Sequence, residues 1–257
     1  MTAGFPARPG AAWVTGGGQG IGRALALRLA ALGWKVAISA RTAEDLDAVA
    51  AEATGLAGSI LPVPLDITRE ADVLEAVATI ESALGPLDLA VLNAGTHRPV
   101  TLGNFSSAPF RQLVEVNLMG TVYGLAALLP RFGKRRAGHV AVVASLAGYR
   151  GLPTAAAYGA SKAALIALCE SLKPECDAHG IGLSLINPGF VKTPLTDRND
   201  FPMPFLVSAD DAAKAIVRGL RKGSFEIAFP WRFALLMKLL RILPDALFFR
   251  IARRMRP

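Results

Sequence analysis

The chain has 257 residues, of which 52% are hydrophobic and 19% are charged, and this composition excludes a disordered chain and a fibrous repeat. The formal net charge of +8 is concentrated at the end: from Trp231 onward seven Arg or Lys residues face one acidic residue, so the remaining 230 residues carry only +2. That distribution excludes a nucleic-acid-binding body and makes the C-terminal tail a separate question.

Short apolar runs alternate with longer helical patterns from Ala11 to Phe229, which is typical of a parallel sheet covered by helices on both faces. Strands are predicted at 11–15, 35–39, 60–65, 88–92, 138–144, 181–187 and 225–229. Helices are predicted at 21–32, 43–54, 69–84, 107–130, 157–178 and 209–221. No linker interrupts the alternation, so we expect one α/β domain over residues 1–230, a doubly wound sheet of about seven strands. The long loop 188–207 is a candidate lid or binding loop.

The cellular location is inferred from what the sequence lacks. The N-terminus has no apolar run of signal-peptide length, and no stretch reaches about 18 uncharged apolar residues. Cys169 and Cys176 are seven positions apart in a predicted helix, too far for a disulfide, and Cys169 is read as core filling. We expect a cytoplasmic protein that does not span a membrane.

A glycine-rich turn follows the first strand and leads directly into a helix. Its sequence is Gly16-Gly17-Gly18-Gln19-Gly20-Ile21-Gly22. Glycines allow a tight turn and let backbone N–H groups and a helix N-terminus approach a pyrophosphate. The strand-turn-helix context therefore predicts a dinucleotide phosphate site.

The end of the second strand indicates which dinucleotide is bound. An acid there would hydrogen-bond a ribose 2′-hydroxyl and repel a 2′-phosphate, but the sequence is Ser39-Ala40-Arg41. Arg41 can pair with the phosphate, so NADP(H) is predicted over NAD(H); the alternative is a solvated arginine at the start of a helix.

Tyr158 and Lys162 are spaced i, i+4 in a predicted helix, which places the phenol and the ammonium on one face. A neighbouring cation favours the phenolate, so we expect the pKa of Tyr158 to fall from about 10 toward the working pH, where the group can exchange a proton.

Further motifs occur in a fixed order along the chain. They are Thr15-Gly16-x-x-x-Gly20-x-Gly22, Asp66, Asn93-Ala94-Gly95, Asn117, Ser145, Tyr158-x-x-x-Lys162, and Pro188-Gly189 with Thr193. Together the motifs resemble the single-domain Tyr-x-x-x-Lys branch of the short-chain dehydrogenase/reductase family over residues 11–229. Leu92 departs from the family, which often has a second Asn before Asn93. The resemblance implies a Rossmann-type fold and an NAD(P)-dependent oxidoreductase.

The resemblance also implies a role for each matching residue. Tyr158 would exchange a proton with the substrate oxygen while nicotinamide C4 exchanges hydride, and Ser145 would orient that oxygen. Lys162 would bind the ribose and tune Tyr158, and Asn117 would hold a water that links Lys162 to solvent. Asp66 would contact the adenine, and Asn93 would brace the strands or touch the cofactor. The full set of expected cofactor contacts is Gly16, Gly18, Gln19, Gly20, Ile21, Gly22, Arg41, Asp66, Asn93, Ala94, Gly95, Tyr158, Lys162, Pro188, Gly189, Val191 and Thr193.

The substrate is expected to be a small, hydrophobic carbonyl compound or alcohol. One alternative is a 3-oxoacyl thioester reductase, whose acyl-carrier protein would dock on Arg131, Lys134, Arg135 and Arg136 unless these form only a solvated turn. Another alternative is a non-catalytic dinucleotide sensor. His97, His139 and His179 lack metal-ligand spacing and are read as structural or exposed, so no metal is expected.

Residues 231–257 are predicted to form a basic, amphipathic tail. On a helical projection Leu247, Phe248, Ile251 and Met255 fall on one side and Arg250, Arg253 and Arg254 on another, and Pro244 separates this segment from an apolar one at 233–243. Such helices bury their apolar sides within the protein or an oligomer, over a substrate entrance, or in an anionic membrane interface. We expect a homo-oligomer, either a dimer or a tetramer, and keep the substrate entrance and peripheral membrane contact as further hypotheses.

Overall fold

A computed structural model describes residues 8–198 and 202–255 of the chain. The N-terminal residues 1–7, on which the absence of a signal peptide partly rests, lie outside the described residues, as do 199–201 of the long loop and 256–257 of the tail, including Arg256.

Within the described residues, seven parallel strands form one sheet. They are β1 (Ala11–Thr15), β2 (Lys35–Ser39), β3 (Ser59–Pro62), β4 (Leu87–Leu92), β5 (His139–Val143), β6 (Gly182–Pro188) and β7 (Glu226–Phe229). The order across the sheet is β3-β2-β1-β4-β5-β6-β7, so the direction of winding reverses between β1 and β4. The predicted doubly wound sheet is confirmed, and ligands bind such sheets at the carboxyl ends of the strands beside this reversal.

The helices cover both faces of the sheet. They are α1 (Gly20–Ala31), α2 (Ala43–Glu52), α3 (Glu70–Leu84), α4 (Ser107–Leu113), α5 (Gly120–Arg135), α6 (Ala156–Ala178), α7 (Ala209–Arg221), α8 (Trp231–Ile242) and α9 (Asp245–Ala252). The single helix predicted at 107–130 is divided by a π-helical segment, Val114–Met119, and continues to Arg135. Such π segments are frequent at functional sites, and this one contains Asn117.

Two hydrophobic clusters fill the space between sheet and helices. The larger includes Trp13 and Phe132 together with Phe233 and Phe248 from the inner sides of α8 and α9. The smaller packs α1, α2 and α7 against the other face of the sheet. The two tail segments separated by Pro244 thus form helices that pack on the core.

The tail projection needs one correction. Phe248 is buried, whereas Leu247, Ile251 and Met255 from the same predicted side are exposed. The projection failed because α9 is apolar around much of its circumference, so periodicity alone could not rank which apolar residues face the core.

The helical run Ser107–Arg135 is long and apolar enough to cross a membrane, by length and composition alone. Its Leu125, Leu128 and Phe132 are buried in the larger cluster, however. The core therefore accounts for part of the hydropathy of this run, since 44% of the apolar stretch is buried.

Candidate active site

A cavity of about 540 Å³ lies at the carboxyl ends of the strands, beside the reversal of winding. Fourteen of the predicted site residues line it: Gly16, Gly18, Gln19, Gly20, Ile21, Arg41, Asp66, Asn93, Ala94, Gly95, Tyr158, Lys162, Pro188 and Thr193. The other five, which are Gly22, Asn117, Ser145, Gly189 and Val191, do not line it. The volume is in the range of ordinary ligand sites.

The glycine turn has the backbone geometry that a pyrophosphate requires. Gly16 has a φ of +66°, and a Cβ there would lie 2.9 Å from the Cα of Ala94. A Cβ on Gly22 would lie 2.1 Å from the carbonyl oxygen of Gly16, so Gly22 serves close packing rather than cavity lining. Because α1 begins at Gly20, the free N–H groups of its first turn are at the cavity. The residues present therefore fit a dinucleotide.

Asn93 braces the two strands on either side of the reversal. Its Nδ2 donates to the carbonyl oxygen of Thr15 at 2.9 Å, and its backbone N–H donates to the Thr15 hydroxyl at 2.9 Å. Asn93 also lines the cavity. Asn93 can therefore both brace the strands and contact the cofactor, which were the two roles expected for it.

One end of the cavity carries charges of both signs. Arg41 lines it beside Asp66, whose carboxylate accepts hydrogen bonds from the backbone and the hydroxyl of Thr68. Burial raises the pKa of Asp66, but the Thr68 hydrogen bonds and the charges of Arg41 and Arg69 bring it below the usual 3.8. Asp45 lines the same end and accepts from Nε2 of Gln19 at 2.8 Å. The sequence interpretation missed Asp45, which it treated only as part of a helix.

Tyr158 and Lys162 lie one turn apart near the start of α6, and Ser145 follows β5. The phenol of Tyr158 lies beside the Ser145 hydroxyl, which donates to the carbonyl oxygen of Pro188 at 3.4 Å. The Ser145 hydroxyl also accepts from the backbone of Ala147 at 3.1 Å. The Lys162 ammonium donates to the carbonyl oxygen of Val143 at 2.8 Å and lies 5.8 Å from the centre of the Tyr158 ring.

The pKa expected for Tyr158 was wrong in direction. Burial raises the pKa of Tyr158 above 10, and the neighbouring Ser145 hydroxyl offsets only part of this effect. Burial also lowers the pKa of Lys162 from 10.5 to about 8, because the ammonium loses its hydration. The spacing of Tyr158 and Lys162 indicates the neighbouring cation, but it does not indicate the desolvation of the ring. A phenol with a raised pKa is protonated at neutral pH and can act as an acid.

Asn117 connects the segment after β4 to α6. Its Oδ1 accepts from the backbone of Thr96 at 2.8 Å, and its Nδ2 donates to the Thr96 carbonyl at 3.0 Å and to the Ser161 hydroxyl at 3.0 Å. These bonds hold the cavity wall beside Lys162, so Asn117 acts on the site without lining it. The water that was predicted on Asn117 stays a prediction.

Gly189 and Val191 support the loop after β6 instead of lining the cavity. A Cβ on Gly189 would lie 2.7 Å from the Phe233 ring. Val191 is buried and pairs with Val207. The ring of Phe233 also stacks on Phe190 and Phe205, with centroid distances of 5.5 and 6.0 Å. An aromatic cluster thus joins α8 to this loop, and no spacing pattern in the sequence indicated it.

His97 lies against Tyr158, a contact that was not predicted from the sequence. The His97 and Tyr158 rings meet edge to face with centroids 4.8 Å apart. Burial lowers the pKa of His97, which favours the neutral ring. In the sequence, the only indication that His97 lies at the site is its position four residues after Asn93. Within residues 8–198 and 202–255, no group of three or more His, Cys, Asp or Glu side chains could hold a metal ion.

Three comparisons relate the chain to known proteins. The family model described as short chain dehydrogenase matches residues 10–201. An uncharacterized oxidoreductase of Myxococcus xanthus is 39% identical over 245 residues, which cover 95% of this chain and 97% of the relative.

Solved structures share the fold over most of their length. A short-chain dehydrogenase/reductase from Burkholderia phymatum in complex with NAD has a TM-score of 0.83 at 25% identity, covering 93% of this chain and 94% of that one. A 3-ketoacyl-ACP reductase from Sinorhizobium meliloti has a TM-score of 0.78 at 29% identity, covering 88% and 99%. An alcohol dehydrogenase from the archaeon Thermococcus sibiricus, complexed with 5-hydroxy-NADP, has a TM-score of 0.78 at 26% identity, covering 86% and 96%.

Proposed function

Because the chain belongs to the short-chain dehydrogenase/reductase family, we propose that it is an NADP(H)-dependent oxidoreductase that interconverts a carbonyl group and a secondary alcohol. The observation that carries the proposal is the partly buried Tyr158 phenol, which lies beside Ser145 and lines the dinucleotide cavity together with Lys162.

Side chains of the protein donate and accept the proton of this reaction. When bound, the nicotinamide supplies or accepts the hydride. Tyr158, protonated at neutral pH, donates its proton to the carbonyl oxygen as the alcohol forms and takes it back in the reverse direction. Ser145 orients that oxygen by a hydrogen bond, and the Lys162 ammonium stabilises negative charge that develops on the phenol oxygen.

The preference for NADP(H) rests on the residues after β2. Arg41 supplies a guanidinium at the cavity, and the strand ends in Ser39-Ala40 without an acid. Asp45 at the same end opposes a phosphate, but its carboxylate is engaged by Gln19. The neighbours named above are complexed with NAD in one case and with an NADP derivative in another, which supports a nicotinamide dinucleotide of either kind.

A hydrophobic substrate is supported by the residues around the phenol. Tyr158 packs in a small apolar cluster with Val100, Phe110, Leu113 and Ala157. Apolar walls near a single proton donor favour a ketone or aldehyde that carries a hydrocarbon group over a polar sugar.

Two members of the basic cluster proposed to dock an acyl-carrier protein are engaged within the chain. Arg131 and Arg135 both pair with Glu81, at 3.3 and 3.0 Å, and Arg135 also donates to the carbonyl oxygen of Leu87. Leu87 begins β4, whereas the cavity lies beyond the other end of that strand, about 20 Å away at about 3.3 Å per residue. The similarity to a 3-ketoacyl-ACP reductase keeps acyl thioesters among the substrates to be assayed. Intact Ser145, Tyr158 and Lys162 argue against a non-catalytic sensor.

The proposed cofactor preference is tested by exchanging the charge after β2. We expect the wild-type protein to bind NADPH more tightly than NADH, and Ala40→Asp with Arg41→Ala to reverse the order. A charge-assisted pair changes affinity by about tenfold to a hundredfold. Arg69→Ala is the matched control, since Arg69 also acts on Asp66 but does not line the cavity. Equal wild-type affinities for the two dinucleotides, measured by titration, would refute the role of Arg41.

The proposed reaction is tested with a panel of methyl ketones of increasing chain length, followed by the loss of NADPH absorbance. We expect kcat/KM to rise with chain length, and Tyr158→Phe to remove turnover for every member. A panel that shows no turnover with either dinucleotide contradicts the reaction class. The expected homo-oligomer, dimer or tetramer, stays a prediction whose test is the mass in solution by light scattering.

A further inference from the structure

Helix α8 is apolar on the side that faces solvent as well as on the side that faces the core. Phe233, Met237 and Leu240 point inward and are buried. The outward positions Trp231, Leu235, Leu239 and Ile242 follow helical spacing and are 68%, 52%, 51% and 76% exposed. Arg232, Lys238 and Arg241 are interspersed on the exposed side. A face that combines large apolar residues with basic ones is typical of a helix that lies in an interface, and the fold covers only the inward side.

The exposed apolar surface continues on the next helix. Leu247, Phe249 and Ile251 of α9 are each more than 40% exposed, while Phe248 and Ala252 pack inward. Arg150 holds α9 in place, since its guanidinium pairs with Asp245 and lies over the Phe248 ring with a distance of 4.4 Å to the centroid. We call these seven exposed side chains, four on α8 and three on α9, the tail surface.

Uncompensated positive charge surrounds the tail surface. Between Trp231 and Met255 there are six Arg or Lys residues and one acidic residue. The acid, Asp245, is paired with Arg150. Across the part of the chain that the structure describes, Arg232, Arg241, Arg250 and Arg254 are exposed and form no ion pair.

The charges decide which partner this surface fits. A second copy of the chain in a two-fold dimer would bring a second set of the same unpaired arginines into the interface and no acid to neutralise them, because such an interface pairs a patch with itself. An anionic lipid surface offers apolar depth for the leucines and negative headgroups for the arginines. We propose that the tail surface docks the protein peripherally on an anionic membrane. Since anionic lipids characterise the cytoplasmic leaflet, this is the side on which the protein would act.

Point substitutions test this proposal better than truncation. Removing α8 would uncover Phe190 and Phe205, which stack on Phe233, and would damage the fold. Leu235→Asp with Leu239→Asp removes apolar contact only from the exposed side. Leu74→Asp is the matched control, because Leu74 is an exposed leucine on α3, outside the tail. The far-ultraviolet spectrum and the thermal unfolding transition verify that each variant is folded.

The binding assay is flotation of full-length protein with phosphatidylcholine vesicles that contain or lack about 30 mol% phosphatidylglycerol. We expect binding only to the anionic vesicles, loss of binding in about 1 M salt, where the Debye length is about 3 Å, and at least a tenfold loss in the double Asp variant. Arg250→Gln with Arg254→Gln should weaken binding about fivefold for each charge removed. Leu74→Asp should bind like wild type.

Tryptophan fluorescence supplies an independent readout from inside the tail surface. Trp13 and Trp34 are buried, so a blue shift on adding anionic vesicles, and quenching by brominated lipid, report Trp231. Equal binding to neutral vesicles, or unchanged binding of the double Asp variant, overturns the proposal. A lower mass of the double Asp variant by light scattering also overturns it, because the surface would then be an interface between copies of the chain. None of these outcomes depends on the proposed reaction.

Discussion

Lys162 is a buried charge that the fold keeps at a loss of stability. Burial lowers its pKa from 10.5 to about 8, and each tenfold loss of proton affinity is worth about 1.36 kcal/mol. At pH 7 the protonated side chain therefore destabilises the folded state by about 3 kcal/mol. Lys162→Met removes this destabilisation by the buried ammonium. It also leaves the Val143 carbonyl without its hydrogen-bond donor, which costs about 1 kcal/mol. We expect a net gain of about 2 kcal/mol and total loss of turnover.

The pH dependence of the stability difference between wild type and Lys162→Met shows that the titration of Lys162 causes the gain in stability. Between the folded pKa of about 8 and the unfolded value of 10.5, the unfolded wild-type chain binds more protons, so its stability rises with pH in that window. The variant lacks this titration, and its advantage should shrink by about 2 kcal/mol from pH 7 to pH 10.

Urea unfolding without added dinucleotide measures this difference, with Lys35→Met, at an exposed lysine, as the matched control. In thermal unfolding at pH 7, the melting temperature of the Lys162→Met variant should be about 4–8 °C above that of wild type. A variant that is less stable than wild type at pH 7, or an advantage that is unchanged at pH 10, would refute the reasoning.

The remaining predictions concern groups around the cavity. Tyr158→Phe should remove nearly all turnover and leave NADPH affinity within about threefold, since the lost hydroxyl acts on substrate; more than about a tenth of wild-type turnover would contradict its role. Gly22→Ala should weaken NADPH binding at least about tenfold, because its Cβ would meet the Gly16 carbonyl at 2.1 Å, whereas Gly151→Ala, with no atom within 4 Å of its Cβ, should bind normally. His97→Phe keeps a ring against the phenol and should keep kcat within about threefold, while His97→Ala should lower it about tenfold; equal kcat values in the two variants would exclude a positioning role.

The sheet was predictable from the sequence because its strands are buried on both faces. Such strands are continuous apolar runs, and each is followed by a long helical pattern, so most predicted bounds differ from the structure by only a few residues. The π-helical segment at Val114–Met119 was not predictable, since it changes the hydrogen-bond ladder without changing the periodicity. The inner and outer sides of α8 were indistinguishable for a related reason, because both are apolar.

The site was predictable as a set of motifs but not as an environment. Gly16, Gly18, Gly20, Tyr158 and Lys162 were all predicted, and they line one cavity. The pKa of Tyr158 was predicted in the wrong direction because desolvation depends on residues distant in sequence that pack around the ring. Asp45 and His97 were missed because each reaches the site through tertiary contacts.

A chain of hydrogen bonds links the tail to the turn that carries Ser145. Four residues after Ser145, Tyr149 donates its phenol proton to the carboxylate of Glu226 on β7, and Asn187 on β6 donates to the same oxygen at 3.1 Å. Lys238 of α8 donates to the other oxygen. Burial raises the pKa of Glu226, but the hydrogen bonds from Lys238 and Tyr149 bring it below the usual 4.5, so the group stays a carboxylate. Loss of the tail would leave this half-buried charge with one partner fewer, and the disturbance would reach the Ser145 turn through Tyr149. A truncated protein with altered kinetics would therefore not show that the tail touches substrate.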